Sequence, residues 1–244
     1  MLERLDSAAE CVAASGGDPL VTQLVTRRID DLPSWRYGAA VGAHCNWWGD
    51  PELYVVGPPE DAAALMMTAL ASEPHGSFLS VPQAARPLLP YPDAGDDEDG
   101  WAFRWTDRAP DAAGPAAAWL ADADDEVAEL LGRAFPDASV QPGGPHARRW
   151  AGIREPGGRL VACAADATAD DRVGFIASIA VDPGSRTAGL GATISAWATR
   201  ALLAEHPRVG LWHFHGNDAA DRLYTRLGFR DEHRMVGLPL SPSR

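Results

Sequence analysis

The spacing of apolar and polar positions predicts a chain that interleaves strands and helices from residue 53 onward. Strands are expected where short apolar or alternating runs end at turn residues, over 53–57, 78–81, 101–105, 118–120, 149–153, 159–164, 173–181, 209–215 and 229–238. Helices are expected where apolar residues recur every three or four positions, over 59–71, 124–134, 189–205 and 217–227. This order of elements indicates the α/β class.

Two loop-like stretches divide the chain into two predicted domains. Residues 93–100 form an acidic, turn-rich run, and residues 108–115 are rich in Pro, Gly and Ala. We therefore predict a boundary near residue 112, with an N-terminal α/β domain at 1–112 and a C-terminal domain at 113–244. The acidic run is interpreted as a solvated loop rather than as a trap for cationic substrates.

Composition and charge exclude several kinds of protein. Of the 244 residues, 46% are hydrophobic and 23% charged, as in ordinary globular proteins, and none of the 21 basic residues is a lysine. Lysine Schiff bases and Walker-type phosphate loops are thereby excluded. The formal charge of −13 disfavours nucleic acid and anionic membranes as partners.

The cysteines and the N-terminus indicate a reducing compartment. Cys11, Cys45 and Cys163 are far apart and form no CxxC pair, so neither a disulfide framework nor a metal site is expected. Glu3 and Asp6 make the N-terminus unlike a signal peptide, and no long apolar run suggests a membrane span. The sequence therefore predicts a cytoplasmic protein.

The segment from Ser178 to Ala192 combines a buried strand, a tight turn and the start of a helix. Gly189 and Gly191 allow the backbone to approach a ligand closely, and the first N–H groups of the helix point out of its N-terminus. With the helix dipole and Arg186 nearby, this is a candidate pyrophosphate site. The Arg-x-x-Gly-x-Gly spacing alone is equally typical of a simple tight turn.

A second motif follows one strand later. Residues 217–229 have the form N-x-x-A-x-x-L-Y-x-x-x-G-F. Together with the Gly-rich turn, this motif resembles the GNAT superfamily of acyl-CoA-dependent N-acyltransferases, over roughly residues 116–240. The resemblance implies an α+β fold of the GNAT type, in which helices flank a mixed central sheet.

The resemblance also implies a binding site for acyl-CoA. In that family the backbone of the long strand pairs with the pantetheine arm, which here corresponds to Ile179, Ala180 and Val181. The pyrophosphate loop corresponds to Arg186, Thr187, Ala188, Gly189, Leu190, Gly191 and Ala192. Asn217 corresponds to a residue that reaches the pantetheine near its thiol, and Tyr224 to the catalytic tyrosine that protonates the departing thiolate.

The chemistry of Tyr224 agrees with the role of a proton donor. A tyrosine with a reference pKa of ~10 is protonated at neutral pH and can hydrogen-bond a leaving thiolate. Residues 220, 223, 224 and 227 share one helix face, so Tyr224 is expected to point toward the sheet. The alternative is a core tyrosine with a satisfied hydroxyl.

The chain departs from the family pattern at the general base. Many relatives carry a glutamate at one of two strand positions, which here hold Phe175 and Trp212. These aromatic residues either line an apolar substrate pocket or belong to the core. His213 and His215 are candidate bases or substrate contacts, with packing as the alternative, and His44 or an N-terminal acidic residue is a further candidate base.

These features predict an N-acetyltransferase that transfers the acetyl group of acetyl-CoA to a primary amine by direct attack in a ternary complex. The alternative is a non-catalytic CoA-binding regulatory or interaction module. The N-terminal domain lacks both motifs and is compatible with a degenerate second copy of the fold, as in glycine N-acyltransferase-like proteins. A monomer or homodimer that binds a small-molecule or peptide amine is expected.

Overall fold

A computed structural model describes residues 1–47, 50–72, 78–90, 100–111 and 116–239. The acidic run at 93–99 and the predicted boundary at residue 112 lie outside these residues. What the sequence suggests about both stays a prediction.

The helices and strands follow one another in this order along the chain: β1 (Glu3–Leu5), α1 (Ala8–Ala14), α2 (Pro19–Leu24), β2 (Ser34–Tyr37), β3 (Ala40–Cys45), β4 (Glu52–Val56), α3 (Pro59–Ser72), β5 (Phe78–Pro82), β6 (Trp101–Thr106), β7 (Ala117–Trp119), α4 (Asp124–Ala134), β8 (Arg149–Arg154), β9 (Leu160–Asp166), β10 (Gly174–Val181), α5 (Leu190–Leu203), β11 (Val209–Phe214), α6 (Asp218–Arg226) and β12 (Arg230–Pro239). Short 3-10 helices cover Val25–Arg27, Gln83–Leu88 and Pro183–Ala188. None of the helices in the described ranges is long and apolar enough to span a bilayer.

The chain divides into two compact units. Unit 1 contains Met1–Phe103, Trp212–Asp218 and Asp231–Arg244, and unit 2 contains Arg104–Leu211 and Ala219–Arg230. Two short segments of the predicted C-terminal domain are therefore grouped with unit 1. The division of function between residues 1–112 and 113–244 stays a prediction.

Unit 1 is built on a mostly antiparallel sheet that contains one parallel pair of strands. Strands β1 to β4 pair antiparallel in chain order, β5 runs parallel to β4, and β12 pairs antiparallel with β5. Helix α3 connects the parallel strands and buries Leu65 and Met66 against Leu53, Val55 and Leu79. The predicted apolar face of this helix is thus core, because a parallel connection lays its helix against the sheet.

Unit 2 has the same arrangement. Strands β7 to β10 pair antiparallel in chain order, and β11 runs parallel to β10 after helix α5. Its core packs Ile194 and Leu202 of α5 against Ile153, Val161 and Ile176 of the sheet. Unit 1 has this order of strands and helix as well. That the N-terminal domain is a second copy of the fold stays a prediction.

The predicted elements from β4 onward are confirmed, and the α+β fold class with them. The helix expected over 189–205 is α5, which covers Leu190–Leu203, and the Gly-rich turn before it contains the 3-10 helix Pro183–Ala188. The hairpin of β8 and β9 turns through Gly158, whose φ of +87° favours glycine. The elements β1 to β3, α1 and α2 were not predicted.

Candidate functional site

Strand β10 of unit 2 separates from β11 after only two residue pairs. The parallel register joins Gly174 to Val209 and Phe175 to Gly210. From Ile176 onward, β10 does not pair with β11 within the described part of unit 2, while it continues to pair with β9. The edge that bears the predicted residues 179–181 is thereby available to pair with an extended ligand.

A β-bulge reshapes β10 just before these residues. Ala177 pairs with Ala165 and Ala180 with Cys163, so one extra residue of β10 is inserted. Ser178 lies in the bulge with φ of +48°, and its hydroxyl donates to the Val140 carbonyl at 2.8 Å and accepts the Val140 N–H at 3.0 Å. These two bonds hold the bulge, because a non-glycine residue adopts a positive φ only where surrounding contacts impose it.

Asp182 fixes the turn that leaves β10. One of its carboxylate oxygens accepts the Gly184 N–H at 3.0 Å, and the other accepts from Arg159 at 3.0 Å. Burial acts to raise the pKa of Asp182, but the Gly184 N–H and the charges of Arg159 and Arg133 outweigh it and lower the pKa. The turn is therefore held by a carboxylate that stays ionised at neutral pH.

The N-terminus of α5 has the features of an anion site. Gly189 precedes the helix with φ of +72°, no side chain caps the helix there, and its first turn contains no acidic residue. The N–H groups of Leu190, Gly191 and Ala192 thus lack partners within the helix and point out of its N-terminus, where they could bind an anion. A Cβ at Gly191 would lie 3.8 Å from Val181 and 3.9 Å from Leu223, so Gly191 sits against the end of β10.

The remaining residues of the predicted pyrophosphate loop occupy the 3-10 helix. Thr187 and Ala188 are its last two residues, directly before Gly189. Arg186 is exposed, and its guanidinium donates to the Ala134 carbonyl at 3.2 Å. An exposed guanidinium beside a helix N-terminus suits a phosphate ligand.

Tyr224 is buried in the core of unit 2. Its side chain is 6% exposed and belongs to one cluster with Leu190, Ile194, Ile179 and Val181. The structure thus brings the predicted proton donor together with the predicted pantetheine strand and the start of α5. Burial raises the pKa of Tyr224, and the charge of Arg104 lowers it in part, so the hydroxyl stays protonated at neutral pH.

Phe175, one of the two residues at the usual glutamate positions, is 1% exposed. Its backbone N–H donates to Thr168 Oγ1 at 2.9 Å. This burial favours the core interpretation of Phe175 over a substrate contact.

The other predicted substrate residues belong to unit 1. Trp212 is half-buried and makes edge-to-face contacts with Trp47 and Trp101, at ring-centroid distances of 5.0 and 5.6 Å. The His215 N–H donates to the Gly100 carbonyl at 2.8 Å, and a Cβ at Gly100 would collide with the His215 ring. The contacts of Trp212 with Trp47 and Trp101 form a partly exposed group of three tryptophans, which we name the Trp47–Trp101–Trp212 cluster.

The last two predicted residues of this region also lie in unit 1. The Nδ1 atom of His213 is 3.0 Å from the Phe214 carbonyl oxygen. Asn217 is exposed and directly precedes α6, as expected of a helix cap. Their roles stay predictions.

Glu52 is a buried carboxyl of unit 1 that was not among the site residues predicted by number from the sequence. Glu52 is 8% exposed and accepts hydrogen bonds from the Tyr54 hydroxyl at 2.7 Å and the Ser80 hydroxyl at 2.5 Å. Burial raises its pKa, although both hydrogen bonds act in the opposite direction. The available signal was a glutamate at the start of an otherwise apolar strand.

The described residues contain no group of three or more His, Cys, Asp or Glu side chains placed to bind a metal. Cys11, Cys45 and Cys163 are buried free thiols. Burial raises the pKa of Cys163 to about 12, so this thiol is not an activated nucleophile.

Comparison with protein families decides the affiliation of the chain. The model of the Acetyltransferase (GNAT) family matches residues 86–229, more than half of the 244 residues. The chain belongs to this family. The β10 edge, the α5 N-terminus and Tyr224 all lie within the residues that the family model matches. Comparison with curated proteins found no match.

Solved structures similar to this GNAT protein span its whole length. A GCN5-related N-acetyltransferase from Kribbella flavida is 22% identical, with a TM-score of 0.57 and coverage of 96% of both chains. One from Sphaerobacter thermophilus is 14% identical, with a TM-score of 0.58 and coverage of 97% of this chain and 94% of that one. A tandem GNAT protein from the clavulanic acid biosynthesis pathway, solved without AcCoA, is 16% identical, with a TM-score of 0.54 and full coverage of both chains. At these identities the likeness shows the fold alone.

Proposed function

We propose that this protein is an N-acetyltransferase that transfers the acetyl group of acetyl-CoA to a primary amine within a ternary complex. One observation carries the proposal: the β10 edge that β11 leaves unpaired after Phe175 leads into an α5 N-terminus without a cap or an acidic residue. The strand edge can pair with an extended ligand that contains amide groups, and the helix N-terminus that follows can bind an anionic group of the same ligand.

The residues present fit acetyl-CoA as the donor substrate. The backbone of residues 179–181 would pair with the amides of pantetheine, and the N–H groups of Leu190, Gly191 and Ala192 would bind the pyrophosphate. Arg186 supplies a positive charge in a protein whose formal charge is −13. The bulge at Ser178 aims the backbone of this strand segment.

The proposed reaction needs no covalent enzyme intermediate. The amine nitrogen attacks the thioester carbonyl carbon, the carbon–sulfur bond breaks, and the sulfur takes the electron pair and a proton from the Tyr224 hydroxyl. A base or water removes the proton that the amine loses and solvent restores the Tyr224 proton, so the products are an amide and free CoA. The raised pKa of Tyr224 keeps its hydroxyl protonated until the thiolate forms.

The Trp47–Trp101–Trp212 cluster supports an acceptor with an apolar or aromatic part. Three indole rings offer flat apolar surface, and the Arg27 guanidinium lies 4.4 Å from the Trp47 ring, so a cation already stacks there. His213 and His215 follow Trp212 along the chain and are the proposed bases for the acceptor amine. We further propose a cytoplasmic monomer or homodimer that binds neither nucleic acid nor membranes, as the negative charge favours.

A second candidate function is a CoA-binding regulatory module without turnover. Phe175, at one of the two usual glutamate positions, is a core residue and offers no base. A screen of wild-type protein and acetyl-CoA against small amines, amino acids and peptides separates the two functions. Acetylation of any amine excludes the module, whereas CoA binding without acetylation of any amine favours it.

Titration calorimetry with acetyl-CoA tests the donor site directly. Ala192→Glu places a carboxylate among the free N–H groups of α5, and Ala192→Gln is its uncharged match. We expect the wild type to bind one equivalent of acetyl-CoA per chain. Since the carboxylate competes with the pyrophosphate, the affinity of the Glu variant for acetyl-CoA should be lower than that of the Gln variant by a factor of about ten or more.

Thermal unfolding of both Ala192 variants provides the control. A carboxylate in the first helix turn stabilises the free helix, so weaker binding by Ala192→Glu is not a folding defect. Equal affinities of the two variants, or no binding by the wild type, would contradict the proposed donor site.

A further inference from the structure

Arg104 is a buried cation of unit 2 with no role in the reaction described above. Its side chain is 4% exposed. The Nη1 atom donates to the Thr225 hydroxyl at 2.8 Å and to the Asp221 carbonyl at 3.2 Å, and Nη2 donates to the Asp221 carboxylate at 2.9 Å. Three hydrogen bonds from one strand residue therefore end on a single turn of α6.

This turn contains Tyr224. Asp221 and Thr225 are one helical turn apart and share a helix face, and the Thr225 hydroxyl also donates to the Asp221 carbonyl at 2.8 Å. Tyr224 directly precedes Thr225. The guanidinium thus binds the two residues that bracket the proposed proton donor.

Helix α6 depends on outside contacts for its position. It has nine residues, and Tyr224 is its buried residue. A helix of this length is marginal by itself and is held by the contacts that surround it. A buried guanidinium with a rigid fork of donors fixes both the rotation of the helix and its displacement along its axis.

We propose that Arg104 is a positioning residue for Tyr224, which holds the α6 turn so that the Tyr224 hydroxyl meets the thioester sulfur. This inference rests on the proposed function. The electrostatics agree with the geometry, since the positive charge of Arg104 lowers the pKa of Tyr224 against the effect of burial. The carboxylate of Asp221 balances that charge at the helix.

A double-mutant cycle separates positioning from simple structural support. Arg104→Lys keeps the charge but loses the forked donors, and Thr225→Val removes one acceptor at nearly constant shape. We expect each to lower kcat about tenfold, with KM for acetyl-CoA changed less than about twofold. In a Tyr224→Phe background, the same substitutions should change kcat less than about twofold, because the group they position is gone.

The matched control is Arg149→Met, which breaks another arginine network of unit 2. Arg149 donates to Asp166 at 2.9 Å and to Glu205 at 2.6 Å. This variant should lose stability without the loss in kcat. Equal fractional losses of kcat in the wild-type and Tyr224→Phe backgrounds, or a loss no greater than that of Arg149→Met, would overturn the positioning role.

NMR of protein labelled with ¹³C-tyrosine provides a readout without turnover. The Tyr224 ring signal is identified by its loss in Tyr224→Phe, and we expect its chemical shift to change in Arg104→Lys and in Thr225→Val. Thr225→Val keeps the test available should Arg104→Lys fail to fold. An unshifted Tyr224 signal refutes the positioning role whether or not turnover is found, whereas a wild type that acetylates no amine refutes the proposed function.

Discussion

The two units share one order of strand pairing but differ where the parallel connection begins. In unit 1 the register of β3 with β4 runs without interruption from Val41 and Val56 to Cys45 and Glu52. In unit 2 the equivalent pair, β9 with β10, is interrupted by the bulge at Ser178. The bulge therefore distinguishes one strand from the other within a common topology.

The helices that follow these strands differ in charge. Helix α3 of unit 1 carries Glu60 and Asp61 in its first turn, and the Asp61 carboxylate accepts the Ala39 N–H at 2.8 Å. Helix α5 of unit 2 has no acidic residue there and begins after Gly189 in the left-handed conformation. An acidic first turn satisfies the helix dipole internally and repels a phosphate. An anion site therefore depends on a few residues at the strand-to-helix turn and not on the order of strands alone.

The buried tyrosines of the two units give the sharpest test of this difference. Tyr224→Phe in unit 2 should lower kcat about a hundredfold or more, because it removes the proposed general acid. Tyr54→Phe in unit 1 removes a hydroxyl bonded to Glu52 and should change kcat less than about threefold. Steady-state kinetics with acetyl-CoA measures both.

Binding of CoA by Tyr224→Phe is the control for the kinetic test of the two tyrosines. Calorimetry should show CoA binding by Tyr224→Phe within about threefold of the wild type. A Tyr224→Phe enzyme with wild-type kcat, or equal losses in both variants, would remove the functional distinction between the units.

The bulge of β10 is the second point of comparison. Ser178→Ala leaves the N–H and C=O groups of buried Val140 without these bonds and keeps the strained φ, so the free energy of unfolding should fall by about 2–4 kcal/mol. Ser178→Gly also loses the bonds but relieves the left-handed backbone, and should be about 1 kcal/mol less destabilising than the alanine variant. Urea unfolding measures this order.

The same Ser178 variants test the link between the bulge and the ligand. We expect the affinity of Ser178→Ala for CoA to fall about tenfold, since the backbone of residues 179–181 is no longer held in place. If a folded Ser178→Ala protein binds CoA with wild-type affinity, the bulge is not a functional difference between the two units.

The smallest expected effect concerns two carboxyls with opposite pKa shifts. Glu52 in unit 1 has a raised pKa, so its contribution to stability is present below the unfolded pKa of ~4.3 and is lost as the pH rises through the folded value. Asp182 in unit 2 has a lowered pKa, so its contribution is present above ~3.9 and is lost as the pH falls.

Urea unfolding across this pH range tests both carboxyls. In Glu52→Gln, the free energy of unfolding should fall less with rising pH above the acid range than it does in the wild type. At neutral pH the two proteins should differ by about 1 kcal/mol. Asp182→Asn should be destabilising at neutral pH and should approach the wild type in acid. The same pH dependence in both variants would contradict the assigned signs.

Local patterns sufficed for most of the fold. The elements from β4 to β12 were predicted from apolar runs or apolar periodicity and from the turn residues that end them, and two motifs within residues 178–229 carried the family resemblance. The first elements were missed: β1 has three residues, α1 and α2 have only seven and six, and β3 shows no alternation of buried and exposed positions.

The sequence by itself determined the order of elements from β4 onward, the family resemblance and the Gly-rich turn, because these depend on residues close together in the chain. Only the tertiary structure placed Ser178 on Val140, Arg104 on the turn that carries Tyr224, and Glu52 between two hydroxyls. Burial and hydrogen bonding across distant segments decide such contacts, and no local periodicity reports which distant group satisfies a buried polar atom. Local motifs in the sequence therefore predicted the proposed donor site, while the residues that support it could be identified only from the tertiary structure.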